Sequence, residues 1–188
     1  TDSSYEIAQK IESSNSKVRL VKTKLNLGKG NAVNTGAAFL NTDYMVVHDA
    51  DLEYFPDDLK EMYEISLLFP KSLILGSRVI GDKERKKLYY FTYLGNKLFS
   101  IIFSLLNNYK ISDIASCYWL LELESFRKFQ IQEKGFAIEV EVLSKFLKSG
   151  QEIKEVPIKY EARSYENGKK IRIKDAISIL HKIIKYRK

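Results

Sequence analysis

The sequence predicts an α/β sandwich built on a largely parallel sheet, and three observations carry that expectation. Short strand-like runs alternate along the chain with longer segments of helical period. Residues 18–21 and 44–48 read as apolar runs, as strands of a sheet covered on both faces do. The 188 residues are 45% hydrophobic and 29% charged, with 9 Gly, 3 Pro, and no repeat or low-complexity tract. That composition belongs to one globular domain over residues 1–188 and excludes disordered, collagenous and repeat chains.

The elements follow in order. Ser3 or Ser4 is placed to cap a short helix with Ile7, Ala8 and Ile11 on one face. After the strand at 18–21, residues 26–30 form a turn punctuated by Gly28 and Gly30. The next helix runs through Ala32, Val33, Gly36, Ala37 and Leu40. Strand 44–48 ends in Asp49-Ala50-Asp51, and Pro56 suits the first turn of a helix carrying Leu59, Met62 and Tyr63. Strand 72–76 leads into Ser77-Arg78, a basic loop covers 82–87, and a long helix occupies about 89–106. Residues 116–121 read as a strand, and residues 136–148 keep a helical period until Gly150. Strand 153–158 contains Pro157, which places it at an edge or a bulge. The tail from Lys174 puts Ala176, Ile177, Leu180, Ile183 and Ile184 on one helical face.

Charge is concentrated rather than spread. Of the formal +7, residues 169–188 hold eight basic side chains and one acid, and the other 168 residues carry 23 of each sign. Such a tail suits anionic headgroups or phosphates, and no nucleic acid is expected as a partner. Peripheral contact with an anionic membrane and plain packing of the tail's stripe on the domain stand as equal readings. The one cysteine, Cys117, cannot close an internal disulfide, so the expected setting is cytoplasmic, or the cytoplasmic face of a membrane. No run approaches the roughly 18 apolar residues that span a bilayer.

The sharpest chemical signal is Asp49-Ala50-Asp51 after a hydrophobic strand. Residues i and i+2 of an extended segment point to one side, so the two carboxylates can converge. Ligands of α/β sheets bind beyond the carboxyl ends of strands. Two hard oxygen donors there suit Mg²⁺ or Mn²⁺ held together with a substrate diphosphate, with Glu53 as a third oxygen. A solvated acidic loop that caps the next helix is the competing reading. In Gly28-Lys29-Gly30 the glycines allow close backbone approach and Lys29 can meet a phosphate; an ordinary turn before a helix explains them as well. His48 and His181 stand far apart with no cysteine cluster, which argues against zinc.

Taken together, Asn26-Leu27-Gly28-Lys29-Gly30-Asn31-Ala32, Gly36, His48-Asp49-Ala50-Asp51-Leu52-Glu53 and Pro56-Asp57-Asp58-Leu59 resemble family 2 glycosyltransferases. The dolichyl- or polyprenyl-phosphate sugar synthases are the branch they resemble most. Further matches follow in order: Gly76-Ser77-Arg78, Gly95-Asn96-Lys97, Ile111-Ser112-Asp113, and Gly135-Phe136 before Glu139 and Glu141. Glu155-Val156-Pro157-Ile158-Lys159-Tyr160, Arg163 and Gly168-Lys169-Lys170-Ile171 complete the series.

The resemblance implies a GT-A fold and metal-dependent sugar transfer from a GDP- or UDP-sugar to a polyprenyl phosphate. By the same resemblance Asp49 and Asp51 hold the ion, Glu53 assists where the family often carries Gln, and the ion neutralises the leaving diphosphate. Lys29, Gly30, Asp49, Arg163 and Lys169 fall at the donor diphosphate, and Arg78 and Arg85 at the acceptor phosphate. Asp113 stands where the family keeps an acid near the acceptor; it is a candidate catalytic base beside Asp51, and a helix-capping carboxylate is the alternative. Trp119 stands where relatives often carry a basic residue. Thr1-Asp2 matches the end of the family's second motif, so the expectation is a catalytic domain that lacks the first two strands and is N-terminally incomplete. Two other classes compete: a nucleotidyltransferase of similar fold, and an inactive remnant acting as an interaction module.

Overall fold

The computed structural model describes residues 3–23, 25–81, 85–86, 90–162 and 173–187. In chain order the first elements are α1 (Ser4–Ser14), α2 (Lys29–Ala38), β1 (Tyr44–Val46), α3 (Asp58–Leu68), β2 (Leu73–Ser77), β3 (Arg85–Lys86) and α4 (Tyr90–Asn107). The remainder are β4 (Trp119–Glu122), α5 (Leu123–Lys128), α6 (Ile138–Lys148), β5 (Ile153–Pro157), β6 (Tyr160–Glu161) and α7 (Ile173–Tyr186).

Two-residue alternation decides how the layers stack. Leu73 and Leu75 of β2 belong to one hydrophobic cluster and Ile74 to another; Trp119 and Leu121 of β4 are likewise separated from Leu120. Successive side chains of a strand point to opposite faces, so both faces of this sheet are apolar and both need a helical cover. On one face Leu73, Leu75, Trp119 and Leu121 meet Phe103 of α4, Val142 and Phe146 of α6 and Ile183 of α7. On the other, Ile74, Leu120 and Val156 meet Met62 of α3 with Tyr54 and Tyr118.

The main sheet is ordered β1-β4-β2-β5. β1, β2 and β5 run in one direction, and β4 runs antiparallel between β1 and β2. The expected common direction therefore holds for three of the four strands, with β4 reversed. Pro157 lies in β5 at the end of this order, where its missing N–H costs no ladder bond. A second, two-stranded sheet pairs β3 with β6 in parallel, Arg85 opposite Tyr160.

One expected strand is not formed. Residues 18–21 have no strand partner among the described residues, and the amide of Leu20 donates to Glu12 Oε1 at 2.7 Å. A strand exists only through a neighbour's ladder, and an apolar run without one settles for local bonds. The tail's stripe is divided: Ile183 is fully buried against the core, but Ile177 and Ile184 are exposed. Among the described residues no helix is long and apolar enough to cross a membrane.

Candidate active site

One edge of the main sheet gathers the polar chemistry. β1, β2 and β5 share a direction, so their carboxyl ends lie at one edge, and the antiparallel β4 begins there. Asp49, Asp51 and Glu53 follow β1, Arg78 follows β2, Asp113 and Cys117 precede β4, and Tyr160 follows β5. The sequence supplies these residues from four separate connections, and the topology brings them together.

Lys29 organises the first group. Its ammonium donates to Asp49 Oδ2 at 2.8 Å and lies 3.2 Å from Glu139 Oε1. Glu139 is buried in the first turn of α6, so Lys29 links α2, the exit of β1 and α6. Burial opposes the charged form of Lys29, but Glu139 and then Asp49 outweigh it and hold the ammonium above its ordinary range. Burial pushes the Glu139 carboxyl up, and Lys29 pulls it part of the way back. Burial also pushes up the neighbouring Cys117 thiol, which is therefore kept protonated.

Gly28 and Gly30 serve this same junction. Gly28 has φ 104°, and a Cβ on it would come 2.6 Å from the Lys134 carbonyl oxygen. A Cβ on Gly30 would overlap the carbonyl of Glu133. The amides of Gly30 and Asn31 donate to the carbonyls of Gly135 and Lys134, so the first turn of α2 is satisfied by the segment ahead of α6. The glycines are explained by close packing of backbone on backbone. The amide of Gly30, expected at a donor diphosphate, is spent on Gly135.

Arg78 and Asp113 form the second group. Arg78 Nε donates to Asp113 Oδ2 and Nη2 to Oδ1, both at 2.7 Å, and the backbone amide of Arg78 adds a bond to Oδ2 at 3.0 Å. This is a bidentate charge-assisted pair with Asp113 buried. The guanidinium lies 5.0 Å from the Tyr160 ring centre. Behind it, Ser112 donates through its amide and hydroxyl to Glu155, and Ser77 and Ser112 share a 2.7 Å hydroxyl contact. Glu155 thereby fixes the loop that carries Asp113.

The expected ligands separate by environment. Asp49 and Asp51 are half-buried, whereas Glu53 is buried and accepts a 2.9 Å bond from the Tyr160 hydroxyl. Asp51 Oδ1 accepts from the amide of Glu53, and Leu52 between them is left-handed at φ 61°. Among the described residues no three His, Cys, Asp or Glu side chains are grouped to hold a metal, so Asp49, Asp51 and Glu53 are not assembled as a triad. Asp49 and Asp51, half-buried hard oxygen donors on one loop, are of the chemical kind that holds a divalent ion with diphosphate and water, Asp49 with its Oδ2 on Lys29; Glu53 is buried with its Oε2 on the Tyr160 hydroxyl.

Arg85 is placed by its backbone opposite Tyr160, which brings β3 to this edge. Arg163 and Lys169 lie outside the described residues. Trp119 is a core residue stacked on Phe126 at 5.9 Å, with no place at an acceptor. Sequence reading gave no role to Glu139, Glu155 or Tyr160. Glu139 leaves two traces, its place after Gly135-Phe136 in the series of family matches and its position in a helix among the apolar Ile138, Val140 and Val142, all buried.

The sequence profile of glycosyl transferase family 2 matches residues 1–129. A UDP-N-acetylglucosamine–dolichyl-phosphate N-acetylglucosaminyltransferase of Methanococcus voltae is 28% identical over 173 residues, covering 89% of this chain and 69% of its own. An uncharacterised protein of Methanocaldococcus jannaschii is 26% identical over 85% of this chain and 68% of its own. Among solved structures, glucosyl-3-phosphoglycerate synthase of Mycobacterium tuberculosis with UDP superposes with a TM-score of 0.65 at 15% identity, covering 99% of this chain. The same enzyme with Mn²⁺ and UDP-glucose gives 0.63 at 15% identity over 100% of this chain. The chain spans about two thirds of the relatives it matches, 65% and 64% for these two structures. The architecture is that of the GT-A glycosyltransferases, and the chain belongs to glycosyl transferase family 2.

Proposed function

We propose that this chain carries the catalytic centre of a glycosyltransferase that moves a sugar from a nucleoside diphosphate, UDP or GDP, to a polyprenyl phosphate of the dolichyl type. One observation carries the reading: a single sheet edge holds the carboxylate pair Asp49 and Asp51 beside the Arg78–Asp113 ion pair. One half suits a donor diphosphate, the other an anionic acceptor. The Methanococcus relative is named for UDP-N-acetylglucosamine and dolichyl phosphate, and the mycobacterial enzyme was crystallised with UDP, UDP-glucose and Mn²⁺, which supports both halves. A nucleotidyltransferase finds no comparable support.

Asp49 and Asp51 would hold Mg²⁺ or Mn²⁺, which supplies neutralisation of the leaving diphosphate. Lys29 fixes Asp49 and adds positive charge at the same place. Arg163 and Lys169 are assigned to the diphosphate, and Arg78 with Arg85 to the acceptor phosphate. The acceptor oxygen is already anionic at neutral pH, so it attacks the anomeric carbon without losing a proton to a base. Its bond to carbon forms as the carbon–oxygen bond to the diphosphate breaks, the electron pair leaves with the diphosphate, and the anomeric centre inverts. Asp113 then acts by holding Arg78 in place rather than by taking a proton.

The test is transfer of labelled sugar from UDP-N-acetylglucosamine or a GDP-sugar to polyprenyl phosphate in detergent micelles with Mn²⁺. The expected product is organic-phase label in the wild type and loss of at least about a hundredfold in Asp51→Asn, together with weaker Mn²⁺ binding by calorimetry. Pyrophosphate release from a nucleotide and a sugar phosphate, with no labelled lipid, would overturn the reading. Equal Mn²⁺ affinity in wild type and Asp51→Asn would remove the metal assignment.

A further inference from the structure

Tyr160 stands where the two polar groups of the sheet edge meet. Its hydroxyl donates to Glu53 Oε2 at 2.9 Å, which ties it to the loop that carries Asp51. Its ring lies against the Arg78 guanidinium, 5.0 Å from Cζ to the ring centre, so the cation of the second group rests on an aromatic face. Its backbone is engaged on both sides: Tyr160 bridges Tyr54 and lies opposite Arg85 of β3. The next amide, of Glu161, donates to the Glu53 carbonyl at 3.0 Å. Tyr54 packs its buried ring 5.5 Å from that of Tyr160, and its hydroxyl accepts from the Cys117 amide. β6 has only two residues, yet it joins the loop leaving β1, the exit of β2 and β3.

Charge explains what a tyrosine does there. Glu53 and Asp113 are both buried carboxylates, and a buried carboxylate without a partner is costly. Asp113 has the fork of Arg78, and Glu53 has the phenol of Tyr160. Burial raises that phenol above its ordinary range, while Arg78 lowers it only in part, so the hydroxyl stays protonated and keeps donating. Without this donor Glu53 would be drawn to Arg78, the cation on the other side of the same ring. Two carboxylates would then surround one guanidinium, and the cluster would repel a phosphate instead of receiving it. We infer that Tyr160 is a positioning residue for the acceptor: it holds Glu53 off Arg78 and so keeps the Arg78–Asp113 pair open to an anionic phosphate. The inference rests on the acceptor half of the proposed function and names the residue that maintains it.

The experiment titrates the full chain by calorimetry with farnesyl phosphate, a short prenyl phosphate, and separately with UDP and Mn²⁺. Tyr160→Phe keeps the ring beside Arg78 and the backbone pairing of β6, so it keeps its fold, which circular dichroism checks. It loses only the donor to Glu53. The expected result is farnesyl phosphate affinity lower by about tenfold, the scale of one hydrogen bond to a charged group. Affinity for UDP with Mn²⁺ is expected to change by less than about twofold, because the backbone bonds of the 51–53 loop remain. Tyr160→Phe/Glu53→Gln removes the stranded charge and is expected to return farnesyl phosphate affinity to within about threefold of wild type. A tyrosine that merely packs would give no such rescue, since the second substitution adds no contact to residue 160. Equal farnesyl phosphate affinity in wild type and Tyr160→Phe overturns the positioning role and leaves the acceptor reading standing. A loss that Glu53→Gln fails to restore, or an equal loss toward UDP with Mn²⁺, overturns it as well. Wild type that does not bind farnesyl phosphate overturns the acceptor reading and this inference with it.

Discussion

Gly30 and Gly36 lie in the same helix and answer a methyl group in opposite ways. A Cβ at Gly30 would run into the backbone carbonyl of Glu133, which cannot swing aside as a side-chain end can, whereas a Cβ at Gly36 meets nothing within 4 Å. Gly30→Ala is therefore expected to destabilise by about 2–3 kcal/mol. Gly36→Ala should stabilise by about 0.5–1 kcal/mol, because it removes backbone freedom from the unfolded chain. Urea unfolding of the two variants checks the pair, and equal shifts would mean that the 133–135 segment is not where α2 begins. A second residue-scale expectation concerns pH. Burial raises the Glu155 carboxyl above its ordinary 4.5, and the bonds from Ser112 recover only part of that. A carboxyl with a raised folded pKa binds its proton more tightly when folded. Its contribution is complete below the unfolded pKa and is lost as pH rises through the folded one. Glu155→Gln mimics the neutral form and keeps an oxygen for the Ser112 amide. The variant should thus gain stability on wild type as pH goes from about 4 to about 7, read from urea midpoints. A difference that stays constant across that range would contradict the assignment.

At the scale of elements, α6 anchors the segment that caps α2. Glu141, fully buried, accepts from the amides of Gln132 and Glu133 and pairs with Lys145 at 2.7 Å. Glu141→Ala strands those amides and is expected to cost about 3–5 kcal/mol. Exposed Glu124, paired with exposed Lys128, should leave the unfolding midpoint almost unchanged on the same substitution. Hydrogen exchange adds a specific readout: the Gly30 and Asn31 amides, bonded to Gly135 and Lys134, should exchange faster in Glu141→Ala and unchanged in Glu124→Ala. The same elements show what a sequence can carry. The helical period and Gly150 place α6 within two residues at its start, and Pro157 puts β5 at an edge, because period and missing donors are local properties. The direction of β4 was not legible, since an apolar run reads the same either way. Residues 18–21 form no strand for a related reason: strand propensity says nothing of a partner. Asp49-Ala50-Asp51 is legible as a candidate site, being a local pattern after a strand. Glu139 was not, since its meaning depends on Lys29, 110 positions earlier, and such a contact is made by topology alone.

For the whole molecule, the Lys29 cluster is the point where three separate parts meet. α2, the loop leaving β1 and α6 are separate elements, yet one ammonium of the first contacts a carboxylate from each of the other two. A buried charge left without its partner is costly, because desolvation remains and attraction is gone. Lys29→Met is accordingly expected to cost about 3–5 kcal/mol, mostly through the stranded carboxylate of Glu139. Glu139→Gln alone should cost less, since the ammonium keeps Asp49, which is half-buried and reaches water. If the charges act as a unit, the double variant Lys29→Met/Glu139→Gln removes both at once and should be more stable than the sum of the single losses by about 1–3 kcal/mol. Urea unfolding of the four proteins in a double-mutant cycle measures that coupling, with Asp49 untouched throughout. Exchange of the Asn31 amide tests its reach: Lys29→Met should loosen the start of α2, and the double variant should restore it in part. Strictly additive losses would mean that each element is held by its own hydrophobic packing. The cluster would then be no joint of the fold, and Lys29 would be left with a role toward Asp49 alone.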